Sequence, residues 1–97
     1  MSTLIYTVGS AKVYDLGLKN YPGKFLKQGM TPTYSGGFAV KTIKDGKQLI
    51  EEMGEERSWA VYEIEARWGV DTRKSENGWW HLLNKDVRIK RRVSYPV

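Results

Sequence analysis

The chain has no cysteine and a single histidine, His81. Without thiols there are no disulfides, no thiolate nucleophile and no cysteine-based metal site. One histidine excludes a multi-histidine metal centre, and no paired carboxylate spacing completes a mixed ligand set around it. No apolar run approaches the ~18 residues needed to cross a membrane, so no membrane partner is expected. No Gly-x-x-x-x-Gly-Lys-Ser/Thr loop is present, and no motif calls for a cofactor. The first residues lack the basic start and apolar core of an export signal, so a cytoplasmic location is expected.

What is present fits one folded unit. A length of 97 residues predicts a single domain spanning 1–97, and 40% hydrophobic residues are enough for a packed core. Charge is unevenly placed: residues 1–50 carry a net +5, residues 51–84 a net −4 and residues 85–97 a net +4. Basic ends around an acidic middle suit an anionic partner, either a nucleic acid or an acidic protein surface. They equally suit a solvated strand face.

Residue types predict the order β, α, loop, β, α, β, loop, β. β-branched and aromatic residues over 3–8 read as a strand. Ser10 is placed to cap a short helix over 11–21, on which Val13, Leu16 and Tyr21 would share a face. Residues 24–28 suggest a further helical turn. The Gly-, Pro- and Ser-rich stretch 29–37 reads as a surface connection or a flap over a site. After a strand over 38–41, Thr42 caps a helix over about 43–53, ended by Gly54. In the strand over 58–66, Ala60, Tyr62, Ile64 and Ala66 form the core face, with Trp59, Val61, Glu63 and Glu65 opposite. Residues 71–78 read as a polar loop and 79–83 as an aromatic patch. The last strand, 87–93, places Val87, Ile89, Arg91 and Val93 on one side and Arg88, Lys90 and Arg92 on the other. The fold class is therefore α+β, with about four mainly antiparallel strands and two helices on one face.

Three chemistries are conceivable. Trp59, Trp68, Trp79 and Trp80 are too many for the centre of so small a core, so some lie at the periphery, where tryptophan marks interfaces. Trp79 and Trp80 beside Arg88, Lys90 and Arg92 would stack bases and meet phosphates. Glu63 and Glu65 share a strand face and, with His81, would supply acid and base roles; they would equally pair across to Arg88 or Lys90. A Ser-His-Asp set of Ser75, His81 and Asp71 carries almost no signal, because serine and aspartate are always at hand.

Taken together, IYTVG, GGFAVKTIKDGKQLIEE, WAVYEIEARWGVDT and WWHLL resemble a family of small bacterial and phage proteins of uncharacterised function. The matching positions are Gly36, Gly37, Tyr62, Trp68, Asp71, Thr72, Trp80, His81 and Leu83. The resemblance implies a shared structural role for 68–72 and 80–83. A more distant similarity to ADP-ribosyltransferase-like domains implies at most a nucleotide-binding remnant, since Tyr6 to Gly9 stand where His-Gly is expected. The function expected first is a non-enzymatic binding protein of bacterial or phage type, an inhibitor or accessory factor that engages a protein partner or itself. The expected site is Trp68, Asp71, Thr72, Trp79, Trp80, His81, Arg88, Lys90 and Arg92. A nucleotide or nucleic-acid binder and a small enzyme are the alternatives.

Overall fold

The β-branched and aromatic start of the chain forms β1 (Thr3–Ser10), and Ser10 turns it into α1 (Ala11–Asn20) without a side-chain capping bond. A short β2 (Phe25–Leu26) and β3 (Phe38–Val40) follow. Thr42 then caps α2 (Ile43–Met53), its hydroxyl accepting the Asp45 N–H at 3.0 Å, and Gly54 ends the helix at φ 81°. Next come β4 (Trp59–Ala66), β5 (Thr72–Lys74), β6 (Trp80–Leu82) and β7 (Val87–Arg92). The structure, a computed structural model, describes residues 3–26, 37–54, 59–67, 69–83 and 87–93. Trp68 and the expected 29–37 loop, Gly37 excepted, lie outside them.

All seven strands join one antiparallel sheet in the order β2-β7-β4-β1-β3-β6-β5. The α+β class and the antiparallel pairing are as expected, but about four strands were expected. The extra strands come from three segments. Residues 25–26 pair with β7 rather than extending a helix, and the polar 71–78 loop and aromatic 79–83 patch form the β5–β6 hairpin.

The helices do not share one face. β1 and β4 are central strands that are apolar on both sides, and such strands need cover on both. Register pairs Thr7 with Tyr62, Gly9 with Ala60 and Ile5 with Ile64 on one face, and Val8 with Val61 on the other. The first face, with Leu26, Val87 and Ile89, packs under α1 through Ala11 and Tyr14. The second, with Phe38 and Leu49, packs under α2. Val61 is expected with Glu63 on the side opposite the core face, yet it is wholly buried. Gly46, a weak helix former, is what lets α2 approach: a Cβ there would sit 2.6 Å from Val61 Cγ2.

α1 turns Tyr14 inward rather than Leu16, which is exposed. The Tyr14 ring lies 5.0 Å from that of Tyr62. Burial pushes the Tyr14 phenol up to about 12, and its hydrogen bond with Thr7 opposes this more weakly. The sign of the linkage follows. Below pH 10 the phenol is neutral in both folded and unfolded chains, whereas between 10 and 12 the unfolded chain ionises first and is favoured. Alkaline melting should therefore show stability falling by about 1.4 kcal/mol per pH unit from this residue. Tyr14→Phe should flatten the slope over that window, and an unchanged slope would contradict the assignment.

Candidate binding groove at the β5–β6 end

The β5–β6 hairpin owes its shape to residues 75–79. Gly78 adopts φ 87°, a left-handed backbone that glycine takes readily, and its N–H reaches the Ser75 carbonyl at 3.0 Å. Ser75 N–H donates to the Trp79 carbonyl at 2.8 Å, and Trp79 N–H donates to Asn77 Oδ1 at 3.3 Å. An Asn-Gly pair between strands is a strong hairpin signal. Asn77-Gly78 could thus have revealed this hairpin from sequence.

β6 docks on β3, with His81 opposite Phe38 and Leu82 N–H donating to the Gly37 carbonyl at 2.9 Å. Alternation along β6 then splits the aromatic patch. Trp79 and His81 go to the α2 face. There Phe38 is met edge-on by Trp79 at 5.5 Å and at a tilt by His81 at 4.8 Å and by Trp59 at 5.9 Å. Trp79 Nε1–H also donates to Glu52 of α2 at 3.3 Å. These rings pack the sheet end against α2.

Trp80 goes to the other face, beyond the strands that α1 covers, and stays 47% exposed. With Ile5, Ala39, Val40, Lys41, Val70 and Thr72 it lines an open, largely apolar groove of about 470 Å³. Ile5, Ala39, Thr72 and Trp80 lie on one sheet face because β1, β3, β6 and β5 are adjacent and in register. Lys74 Nζ lies 5.8 Å from the Trp80 ring centroid, within cation–π range. The groove thus offers an apolar floor and two cations at its rim, Lys41 and Lys74. On the α2 side a smaller hollow of about 260 Å³ lies between α2 and β6, with Asp45 and Glu52 in its wall.

Of the expected site residues, Thr72 and Trp80 meet in the groove. Asp71 is exposed at its edge, with its carbonyl accepting the Leu83 N–H at 2.8 Å. Trp79 and His81 face away. Arg88, Lys90 and Arg92 are on β7, with three strands between it and β6, roughly 19 Å at the usual strand spacing. Trp79 and Trp80 therefore do not form one surface with the basic strand. A register shift in the β4–β7 pairing leaves Lys90 without an opposite residue, so parity changes there. Arg88 and Arg91 share the α2 face, where they ion-pair with Glu65 and Glu63. Arg92 crosses to the α1 face and meets Asp15 at 2.5 Å, beside the Tyr62 hydroxyl, which donates to the same carboxylate at 2.5 Å. Val93 likewise joins the α2-side core rather than siding with Val87 and Ile89.

The cross-strand pairing of Glu65 with Arg88 is as expected; Glu63 takes Arg91 rather than Lys90. His81 is two intervening strands away from β4, roughly 14 Å, so Glu63 and Glu65 do not approach it. Ile5, Ala39, Lys41 and Val70 were not singled out from sequence. Ile5 and Ala39 read as core and do pack against the core under α1; only the strand order shows that Thr72 and Trp80 come to lie on the same sheet face. No protein-family model, no curated protein and no solved structure matches this chain.

Proposed function

We propose that the chain is a non-enzymatic binding protein that engages a protein partner through the groove around Trp80. The observation that carries this is a half-exposed tryptophan set in an apolar concavity with cations at its rim. A large ring held by a rigid strand is the usual anchor of an interface. The groove's volume lies within the range of ligand sites, but its open shape suits one or two side chains of a partner better than an enclosed small molecule. Lys41 and Lys74 favour a partner that places acidic groups beside its apolar anchor. The groups an enzyme would use are engaged elsewhere: Glu63 and Glu65 with arginines, His81 against Phe38. The basic strand offers less free charge to a phosphate backbone than its sequence suggests, since Arg88, Arg91 and Arg92 are all ion-paired.

The test is selection of peptides from a random display library on the immobilised protein, followed by affinity measurement in solution. Selected peptides should combine apolar and acidic residues. Trp80→Ala, a surface change that leaves the core intact, should weaken them at least ~30-fold, the effect of an interface anchor. Peptides that bind the Trp80→Ala variant equally well would refute the groove as the site.

A further inference from the structure

β5 ends the sheet, and among the described residues no strand pairs with its outer side. Which backbone groups it presents follows from the hairpin. The Leu83 N–H donates to the Asp71 carbonyl and the Ser75 N–H to the Trp79 carbonyl. Residues 71, 73 and 75 therefore use their N–H and C=O groups toward β6, while Thr72 and Lys74 point theirs outward. An open edge of this kind is a template for one more strand.

From this edge we infer that two copies of the chain pair antiparallel through β5, with Thr72 opposite Thr72 of the second copy. The charges along the strand select that register. With Thr72 as the centre, Asp71 stands opposite the second copy's Arg73, and Arg73 opposite its Asp71. Sliding by two residues, the smallest step that keeps outward-pointing backbone groups opposite one another, sets Arg73 against Arg73 in one direction. Sliding the same step the other way sets Asp71 against Asp71. A further slide in the first direction sets Lys74 against Lys74. Opposite charges directly across a sheet stabilise and like charges destabilise. Of the registers that keep outward groups opposed within β5, only the Thr72-centred one gives two opposite-charge pairs, and a threonine pair at the centre is itself favourable.

A second observation places the contact at this end. The most exposed large apolar side chains among the described residues are Leu16, Val70, Trp80 and Leu83, and all but Leu16 lie beside β5. Antiparallel pairing of identical edges keeps each side chain on its own face of the continuous sheet, so both Trp80 grooves open on the same side. The dimer is then a bivalent binder, able to gain avidity from a partner with two anchors. The inference goes beyond the groove proposal and stands whether or not a partner enters the groove.

Sedimentation equilibrium of the full chain, up to about 1 mM because so small a contact is weak, tests it. A concentration-dependent dimer is expected. Asp71→Arg and Arg73→Asp, each at an exposed position, should each weaken it ~10-fold or more, by setting like charges opposite each other. The combined Asp71→Arg/Arg73→Asp variant should restore the dimer. The inference is overturned if the parent stays monomeric throughout, in which case Arg73 and Lys74 guard the edge against pairing. It is also overturned if the single reversals leave the dimer unchanged or if the combined reversal fails to restore it. Peptide binding to the Trp80 groove by a strictly monomeric protein would refute the dimer and leave the groove intact.

Discussion

Tyr62→Ala is expected to destabilise the protein by about 3–5 kcal/mol, much of the stability a domain of this size has. Tyr62 is wholly buried on β4 and packs against Tyr14 of α1. Truncation removes the contact that seats α1 on the sheet and leaves a cavity between two elements that cannot both collapse into it. Its hydroxyl contributes less. It donates to Asp15, whose carboxylate also holds Arg92 and is partly open to water. Tyr62→Phe should therefore cost about 1 kcal/mol. Urea titration of both variants separates ring from hydroxyl. Equal losses for Phe and Ala would mean that the Asp15 network, not the ring, holds α1 in place.

The second large effect is expected at Gly9. A Cβ there would meet three atoms of the Tyr14 ring at 2.5, 2.7 and 2.8 Å. The ring cannot swing aside, because Tyr62 lies against it and Gly37 adjoins its hydroxyl, where another Cβ would sit at 2.5 Å. Gly9→Val should cost about 2–3 kcal/mol by overpacking, more than any gain from restricting the unfolded chain. In a Tyr14→Ala background the same change should be nearly free, because its obstacle is gone. Thermal melts of the four proteins in this cycle give the coupling. Additive losses would contradict a direct clash. Gly37, at the end of the stretch that reads from sequence as a surface connection or a flap, makes room for Tyr14.

Much of the fold can be traced to local chemistry. The Thr42 cap, the α2 stripe and Gly54 define one helix unaided, and the alternation of Ala60, Tyr62, Ile64 and Ala66 marks the core face of β4. What stayed hidden was set by partners distant in sequence. Val61 beside two glutamates reads as a wet face until α2 is known to lie over it. β2 is two residues long and gains its identity from β7. The register shift that turns Arg92 toward Asp15 has no signature in an alternating basic run. For the groove, Trp80 is legible in the surplus of tryptophan, and Thr72 only through the resemblance in the 68–72 segment. Trp79 and His81 flank Trp80 in sequence, which suggests a single site. A strand does the opposite, sending neighbours to opposite faces.

The most direct measurement is to map the selected peptide onto the protein by amide and indole chemical shifts. Shifts should concentrate at Ile5, Ala39, Lys41, Val70, Thr72 and the Trp80 indole, on the side of the sheet away from α2. Shifts centred on Arg88–Arg92, or on Trp79 and His81 with Trp80 undisturbed, would contradict binding through this groove.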